Sequence, residues 1–307
     1  MTRKTSPQIT IILLLSIGVF WLSACNNNPT SPTPPPLASD ASATPSITAT
    51  AINTSYIPST PDPSLPLAAK INGQGITFEE YQAELSRAQA ASSISLTTYS
   101  DAQVLQNLID EVLLAQAAGE AGFIPDEALL QARIAQLGLD EQALQDWLTS
   151  NEYSQASFEQ ALSRSIAAAW MRDQIIASVP STAEQVHARQ ILLYNSDEAK
   201  NVYAQLQAGS DFATLAAQYE PLALGDLGWF PKGYLTTPEL DDPIFSLQPG
   251  EYTPVIETIL GFHIVQVIER DPQHPLSPGA LQATKVQAIQ NWLAERQSLS
   301  DIQISVP

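Results

Sequence analysis

The chain has 307 residues, with 13 Lys plus Arg against 32 Asp plus Glu and a formal net charge of −19. So acidic a protein lacks the concentrated basic face that phosphate backbones and anionic headgroups require, which excludes nucleic acid as a partner and simple electrostatic adsorption to lipid. About 240 residues follow an N-terminal low-complexity stretch, enough for two modest domains or one large one.

Arg3 and Lys4 precede an apolar run from Ile11 to Leu15 that continues through Ile17, Val19, Phe20 and Trp21. The run is about 14 residues, short of the roughly 20 a spanning helix needs, and reads as a secretory signal. It ends at Leu22-Ser23-Ala24-Cys25, a lipobox. This segment resembles the signals of bacterial lipoproteins, which implies removal of residues 1–24 and a diacylglyceryl group on Cys25, the single cysteine. Removing those residues, with two cations and no acids, takes the formal charge from −19 to −21. The other reading is an ordinary cleaved signal followed by a free thiol, which an oxidising compartment would tend to pair between molecules. Two acyl chains instead hold a protein to a bilayer at about 0.8 kcal/mol per buried methylene.

From Asn26 to Pro66 the sequence is nearly all Asn, Pro, Ser, Thr and Ala, too poor in large apolar residues to offset the entropy of ordering. Residues 25–66 are therefore read as a lipidated Cys and a disordered tether, which as a flexible coil would span roughly 35–40 Å. Ordered sequence begins at Leu67 with a short strand and turn, then Thr77 as an N-cap with Glu80 three residues on. Val104, Leu105, Leu108, Ile109, Val112 and Leu113 repeat at helical spacing, and Gly122 before Pro125 supplies the stop. Shorter helices are predicted after Pro125 and near Asp140, and a longer one from Gln155 to Val179 carrying Phe158, Leu162, Ile166, Trp170, Ile175 and Ile176.

Ile71-Asn72-Gly73 with Ile76-Thr77-Phe78-Glu79-Glu80-Tyr81, ahead of that helical series, resembles the N-terminal chaperone region of the SurA and PrsA families of exported foldases. The resemblance covers residues 67–182 and implies that a helix from the far end, Pro278 to Gln297, packs back onto this region; residues 273–307 are assigned that role.

Pro180-Ser181-Thr182 punctuates the chain, and residues 183–272 read as a separate domain. A strand is predicted from Val186 to Leu193, helices over Glu198–Gln207 and Phe212–Gln218, a short element at Asp241–Phe245 and a last strand from Phe262 to Ile268. Five blocks here agree in order and spacing with the parvulin family: Ala188-Arg189-Gln190-Ile191-Leu192, Phe212 to Tyr219, Gly225-Asp226-Leu227-Gly228-Trp229-Phe230, Phe245 to Glu251, and Leu260 to Val267. The fold implied is α+β, a helical SurA/PrsA-like domain with an inserted parvulin-like domain of a small antiparallel sheet plus helices.

The parvulin resemblance implies a peptidyl-prolyl isomerase site with two histidines under an apolar proline pocket. His263 matches the last-strand histidine, and alternation puts it on the face of Val265 and Val267. Gln190 stands where the other histidine would be, on the face of Val186, Ala188 and Leu192, while His187 faces the opposite way. A buried glutamine still hydrogen-bonds an imidazole. Only Glu220 to Leu224 separate Tyr219 from Gly225, where the family has a longer loop bearing an acid or thiol; Glu220 is the nearest carboxylate. Leu235, Leu240 and Phe245 align with the proline-gripping residues, and for Leu235 and Leu240 plain core packing is an equal alternative.

Two functions fit. One is a membrane-tethered extracytoplasmic foldase that isomerises and chaperones newly exported or unfolded polypeptides with Xaa-Pro bonds; the other is a peptide-binding lipoprotein on a parvulin scaffold without catalysis. A solute receptor would call for a larger α/β chain with two similar lobes. Hydrolase and metal motifs are missing, so no metal and no cofactor are implied.

Overall fold

A computed structural model of the protein describes residues 65–92 and 99–306. The predicted signal peptide, Cys25 and nearly all of the tether lie outside the described residues. The described residues form two compact units, the first built from those up to Met171 together with those from Arg296 onward and the second from Arg172–Glu295. No helix among the described residues is long and apolar enough to cross a membrane.

The first unit opens with a hairpin of β1 (Leu67–Ile71) and β2 (Gln74–Thr77). Asn72 and Gly73 occupy its turn at φ of 50° and 89°, the conformation that lets a two-residue loop follow the twist of its strands. The Thr77 hydroxyl accepts from the Glu80 amide at 3.1 Å and caps α1 (Phe78–Ser92). Next comes α2 (Asp101–Glu120), started by a Ser100/Gln103 capping box that exchanges both hydrogen bonds. Its Val104, Leu105, Leu108, Ile109, Val112 and Leu113 join Ile71, Ile76, Tyr81 and Leu85 in one core.

Asp126 and Asp140 cap α3 (Glu127–Ala135) and α4 (Glu141–Ser150), each carboxylate accepting from the third amide on at 2.8 Å. In α5 (Gln155–Ala177), Phe158 packs edge-on against Trp147 and Tyr153, and Trp170 stacks on Phe123 at 4.7 Å. A buried ion triad ties three of these helices: the Arg164 guanidinium lies 2.6 Å from Glu80 and 3.3 Å from Glu111.

The second unit is a four-stranded antiparallel sheet in the order β4-β3-β6-β5. Its elements are β3 (Thr182–Leu193), α6 (Ser196–Gln207), α7 (Phe212–Tyr219), β4 (Asp226–Pro231), a 3-10 turn at Pro238–Leu240, α8 (Asp241–Phe245), β5 (Ile256–Thr258) and β6 (Gly261–Pro275). Ile191, Leu193 and Ile264 pack one sheet face against α6 and α7. Val186, Ala188, Val265 and Val267 pack the other against Phe230, Leu240 and Ile244.

The last strand runs seven residues beyond its predicted end at Ile268. The segment Glu269 to His274 has no apolar alternation, yet β3 offers it a partner as far as Thr182↔Pro275, and Pro272 falls in a register irregularity where its missing N–H does no harm. From α9 (Pro278–Ser298) the chain returns to the first unit, where β7 (Ile302–Ile304) pairs antiparallel with β1 and completes a β2-β1-β7 sheet. The Asn72 side chain holds that return: it accepts from the Asp301 amide at 2.9 Å and donates to Gln116 Oε1 at 2.9 Å.

Arg164→Met keeps the aliphatic stem but leaves Glu111 without its cation. It is expected to lower stability by about 3–5 kcal/mol, with part of the loss recovered by adding Glu111→Gln. Urea unfolding followed by far-UV circular dichroism measures both, and an unchanged midpoint in the single variant would rule out a structural role for the triad.

Candidate functional site

The β3–β6 pairing sets Leu192 opposite His263 and Gln190 opposite Val265, so Gln190 and His263 are diagonal neighbours on one face. Gln190 Oε1 and His263 Nδ1 are 3.1 Å apart. On the far side of the ring, Nε2 lies 2.9 Å from Thr258 Oγ1. A tautomer with the proton on Nδ1 satisfies all of these groups: Nδ1–H donates to the Gln190 carbonyl, the Thr258 hydroxyl donates to Nε2, and Thr258 Oγ1 accepts from the Leu260 amide at 3.1 Å.

His263 is 2% exposed, and burial pushes its imidazole below the ordinary value of 6.5, opposed by the charge of Glu239. Its ring is therefore neutral at pH 7. With both nitrogens engaged inside the protein, it has no lone pair or proton to offer a bound molecule.

The same sheet face carries an apolar cluster. Leu240 and Ile244 are buried in it, and Leu235, Phe245, Leu247 and Ile256 pack around them. All three predicted pocket residues, Leu235, Leu240 and Phe245, thus fall in the cluster that contains Val265, next to Gln190 and His263. The Phe245 ring meets Phe230 edge-on at 6.2 Å. Arg270 fixes the short helix that carries it, donating to the carbonyls of Phe245 and Leu247 at 2.7 and 2.8 Å and pairing with Glu184 at 2.6 Å.

Two glycines let the backbones close in. A Cβ on Gly225 would fall 2.2 Å from the Gln190 carbonyl oxygen and one on Gly261 2.5 Å from that of Leu193. Gly225 is also at φ 72° and accepts from the Gln190 amide at 2.8 Å, which pins the strand next to the site. His187 is held on the other face by Asp226 at 2.8 Å, beside Trp229.

Sequence reasoning missed Thr258, Glu239 and Arg270. Thr258 closes a three-residue strand, too short for a periodic signal. Glu239 sits in a 3-10 turn whose approach to His263 is a matter of tertiary folding. Arg270 lies in the polar end of β6, which gave no strand pattern at all.

A small antiparallel sheet thus carries helices on one face and, on the other, a buried imidazole beside a glutamine amide and an apolar cluster. Two family models match the chain. Residues 175–269 match the family model for the PPIC-type PPIase domain, and residues 48–172 match that for the SurA-like N-terminal domain. The chain thus joins a SurA-like N-terminal domain to a domain of the PpiC-type rotamase family.

Among similar proteins, the foldase protein PrsA of Caldanaerobacter subterraneus subsp. tengcongensis is 38% identical over 88 residues, 27% of this chain and 28% of that protein. The chaperone SurA of Methylobacillus flagellatus is 33% identical over 139 residues, 38% of this chain and 32% of that protein. The matches to PrsA and SurA relatives of this kind span about a third or less of their length. The crystal structure of PrsA from Bacillus cereus aligns over 76% of this chain and 86% of its own, at 16% identity and a TM-score of 0.42.

The buried neutral imidazole carries a stability consequence with a definite sign. Below about pH 6.5 the unfolded chain takes up a proton on this residue that the folded chain resists, so stability falls as pH drops from there. His263→Asn is expected to flatten that part of the difference curve relative to the parent, read from urea midpoints between pH 7.5 and 5. Gly225→Ala, which adds a methyl against the Gln190 carbonyl at positive φ, is expected to cost about 3 kcal/mol in the same measurement.

Proposed function

We propose that the second unit accelerates cis–trans isomerisation of Xaa-Pro bonds in unfolded or newly exported polypeptides. We further infer that the first unit holds those clients and that a diacylglyceryl group on Cys25 anchors the protein to a bacterial membrane outside the cytoplasm. The observation that carries the catalytic part is the hydrogen-bonded group of His263, Gln190 and Thr258 on the sheet face that also packs Leu235, Leu240 and Phe245.

The reaction needs nothing more aggressive. Its barrier of about 18–20 kcal/mol comes from amide resonance, and a thousandfold acceleration asks for only about 4 kcal/mol. An apolar wall that grips the proline ring and excludes water weakens that resonance, because a twisted amide carries less charge separation than a planar one. In this scheme His263 and Gln190 are positioning residues: they hold β3, β5 and β6 together under the pocket and keep its floor uncharged.

The non-catalytic alternative draws on the same geometry. Both nitrogens of the His263 ring are engaged within the protein, and the loop from Glu220 to Leu224 holds no thiol and only the one carboxylate of Glu220. A pocket of this kind could bind proline-containing segments without turning them over.

A protease-coupled isomerisation assay on the whole protein with a set of Xaa-Pro tetrapeptides separates the two. The expected result is acceleration over the uncatalysed rate, with kcat/KM at least tenfold lower in His263→Ala, a raised KM in Leu240→Ala, and no change in His187→Ala. A folded parent that never exceeds the uncatalysed rate would leave binding as the function. For the anchor, Cys25→Ser is expected to move the protein from the membrane fraction to the soluble one, followed by immunoblotting after ultracentrifugation.

A further inference from the structure

The helical unit contains a cavity of about 400 Å³ that the isomerase reading does not use, within the ~300–1,000 Å³ range of small-ligand sites. Its walls come from Leu65, β2, α1, α2, the first half of α5 and the turn before it. Five carboxylates line it, Glu79, Glu80, Glu84, Glu111 and Glu152, against two guanidinium groups, Arg87 and Arg164.

The pairing inside is incomplete. Arg164 is shared between Glu80 and Glu111. Arg87 spends both of its contacts to Glu84 on one oxygen, Oε2, at 2.7 and 3.0 Å. The other oxygen, Glu84 Oε1, is buried with no hydrogen-bond partner, on a residue only 3% exposed. A buried carboxylate oxygen without a donor is costly, so its persistence needs a reason. Burial also raises the pKa of Glu111 above its ordinary value, opposed by Arg164 and reinforced by the charges of Glu80 and Glu84.

The remaining wall is aromatic and apolar. Tyr153 lies under the Arg87 guanidinium, 4.2 Å from ring centroid to Cζ, and Phe158 and Leu162 are buried beside it. An anion would be repelled here, and a neutral apolar ligand would leave the carboxylates unanswered. Among the described residues no group of three or more His, Cys, Asp or Glu is placed to hold a metal ion, which points to an organic cation.

We propose that this cavity binds an ammonium group on an alkyl stem, with the charge at Glu84 and the stem against Tyr153 and Phe158. The same chemistry is found on a lysine side chain of a bound polypeptide and on a free polyamine. The site lies wholly within the first unit, and its test does not involve isomerisation, so either idea can fail without the other.

Titration calorimetry on the whole protein uses three probes: cadaverine, a lysine-containing tetrapeptide and the same peptide with norleucine in place of lysine. Saturable one-to-one binding of either amine probe is expected, with no binding of the norleucine peptide. Glu84→Gln should weaken it at least tenfold, and Ala161→Leu, which fills the cavity, should do the same and serves where Glu84→Gln does not fold. Glu141→Gln, an exposed change outside the cavity, should alter the affinity less than twofold. Binding of the lysine peptide alone assigns the site to polypeptide clients, and equal binding of cadaverine assigns it to free amines; both uphold a cation site. The proposal is overturned if no amine probe gives saturable heat, or if Glu141→Gln weakens binding as much as the cavity variants, since that outcome reduces the effect to diffuse attraction by an acidic surface.

Discussion

The register between β3 and β6 is the constraint on which the second unit depends. Side chains alternate along each strand, so fixing Leu192 opposite His263 decides at once which residues face α6 and α7 and which face the pocket. A slip of one residue would turn His263 out of the core and put Phe262 and Ile264 in its place. The register is guarded from both edges. Gly225 lets β4 approach the Gln190 carbonyl, Gly261 does the same for the β5–β6 turn at Leu193, and no side chain larger than hydrogen fits either gap. The site is therefore a consequence of strand pairing more than of any loop.

The His263 network and the Arg164–Glu84 cluster treat buried polarity differently, although the second unit also buries Arg189 Nε, Asp241 Oδ1 and Arg270 Nε without a partner. In the second unit, a neutral chain of Gln190, His263 and Thr258 engages both nitrogens of the imidazole, and burial lowers the pKa of that ring. Such a chain tolerates a low dielectric because it carries no net charge. In the first, formal charges are buried around Arg164 and Glu84, and the ledger of partners does not close. A satisfied network holds a shape, whereas an unsatisfied one invites a ligand. That contrast separates the pocket floor, which positions, from the helical cavity, which has an unmet electrostatic demand.

Much of the fold was legible because its signals are local. The helical stripe from Val104 to Leu113, the Asp126 and Asp140 caps, the Asn72-Gly73 turn and the alternation along Val186 to Leu193 each arise within a few residues. The same alternation already gave the face of Gln190 on its strand and of His263 on its own, and the parvulin resemblance implied that the two lie side by side. Less legible were elements that exist only because a partner does. Three-residue strands such as β5 and β7 have no period to detect, and the polar end of β6 is a strand because β3 lies beside it. Thr258, Glu239 and Arg270 were invisible for that reason.

By itself the sequence determined the order of the helices and longer strands and their amphipathic faces, since these follow from short-range backbone and side-chain preferences. Only tertiary structure decided that β7 returns to close the sheet begun by β1, that Thr258 completes the hydrogen bonds of His263, and that Arg164 and Glu84 meet in one cavity. Those outcomes join residues up to more than 200 positions apart, as between Asn72 and Asp301. Contacts at such range leave no local pattern, because what selects them is the complementarity of surfaces that exist only once the elements have packed.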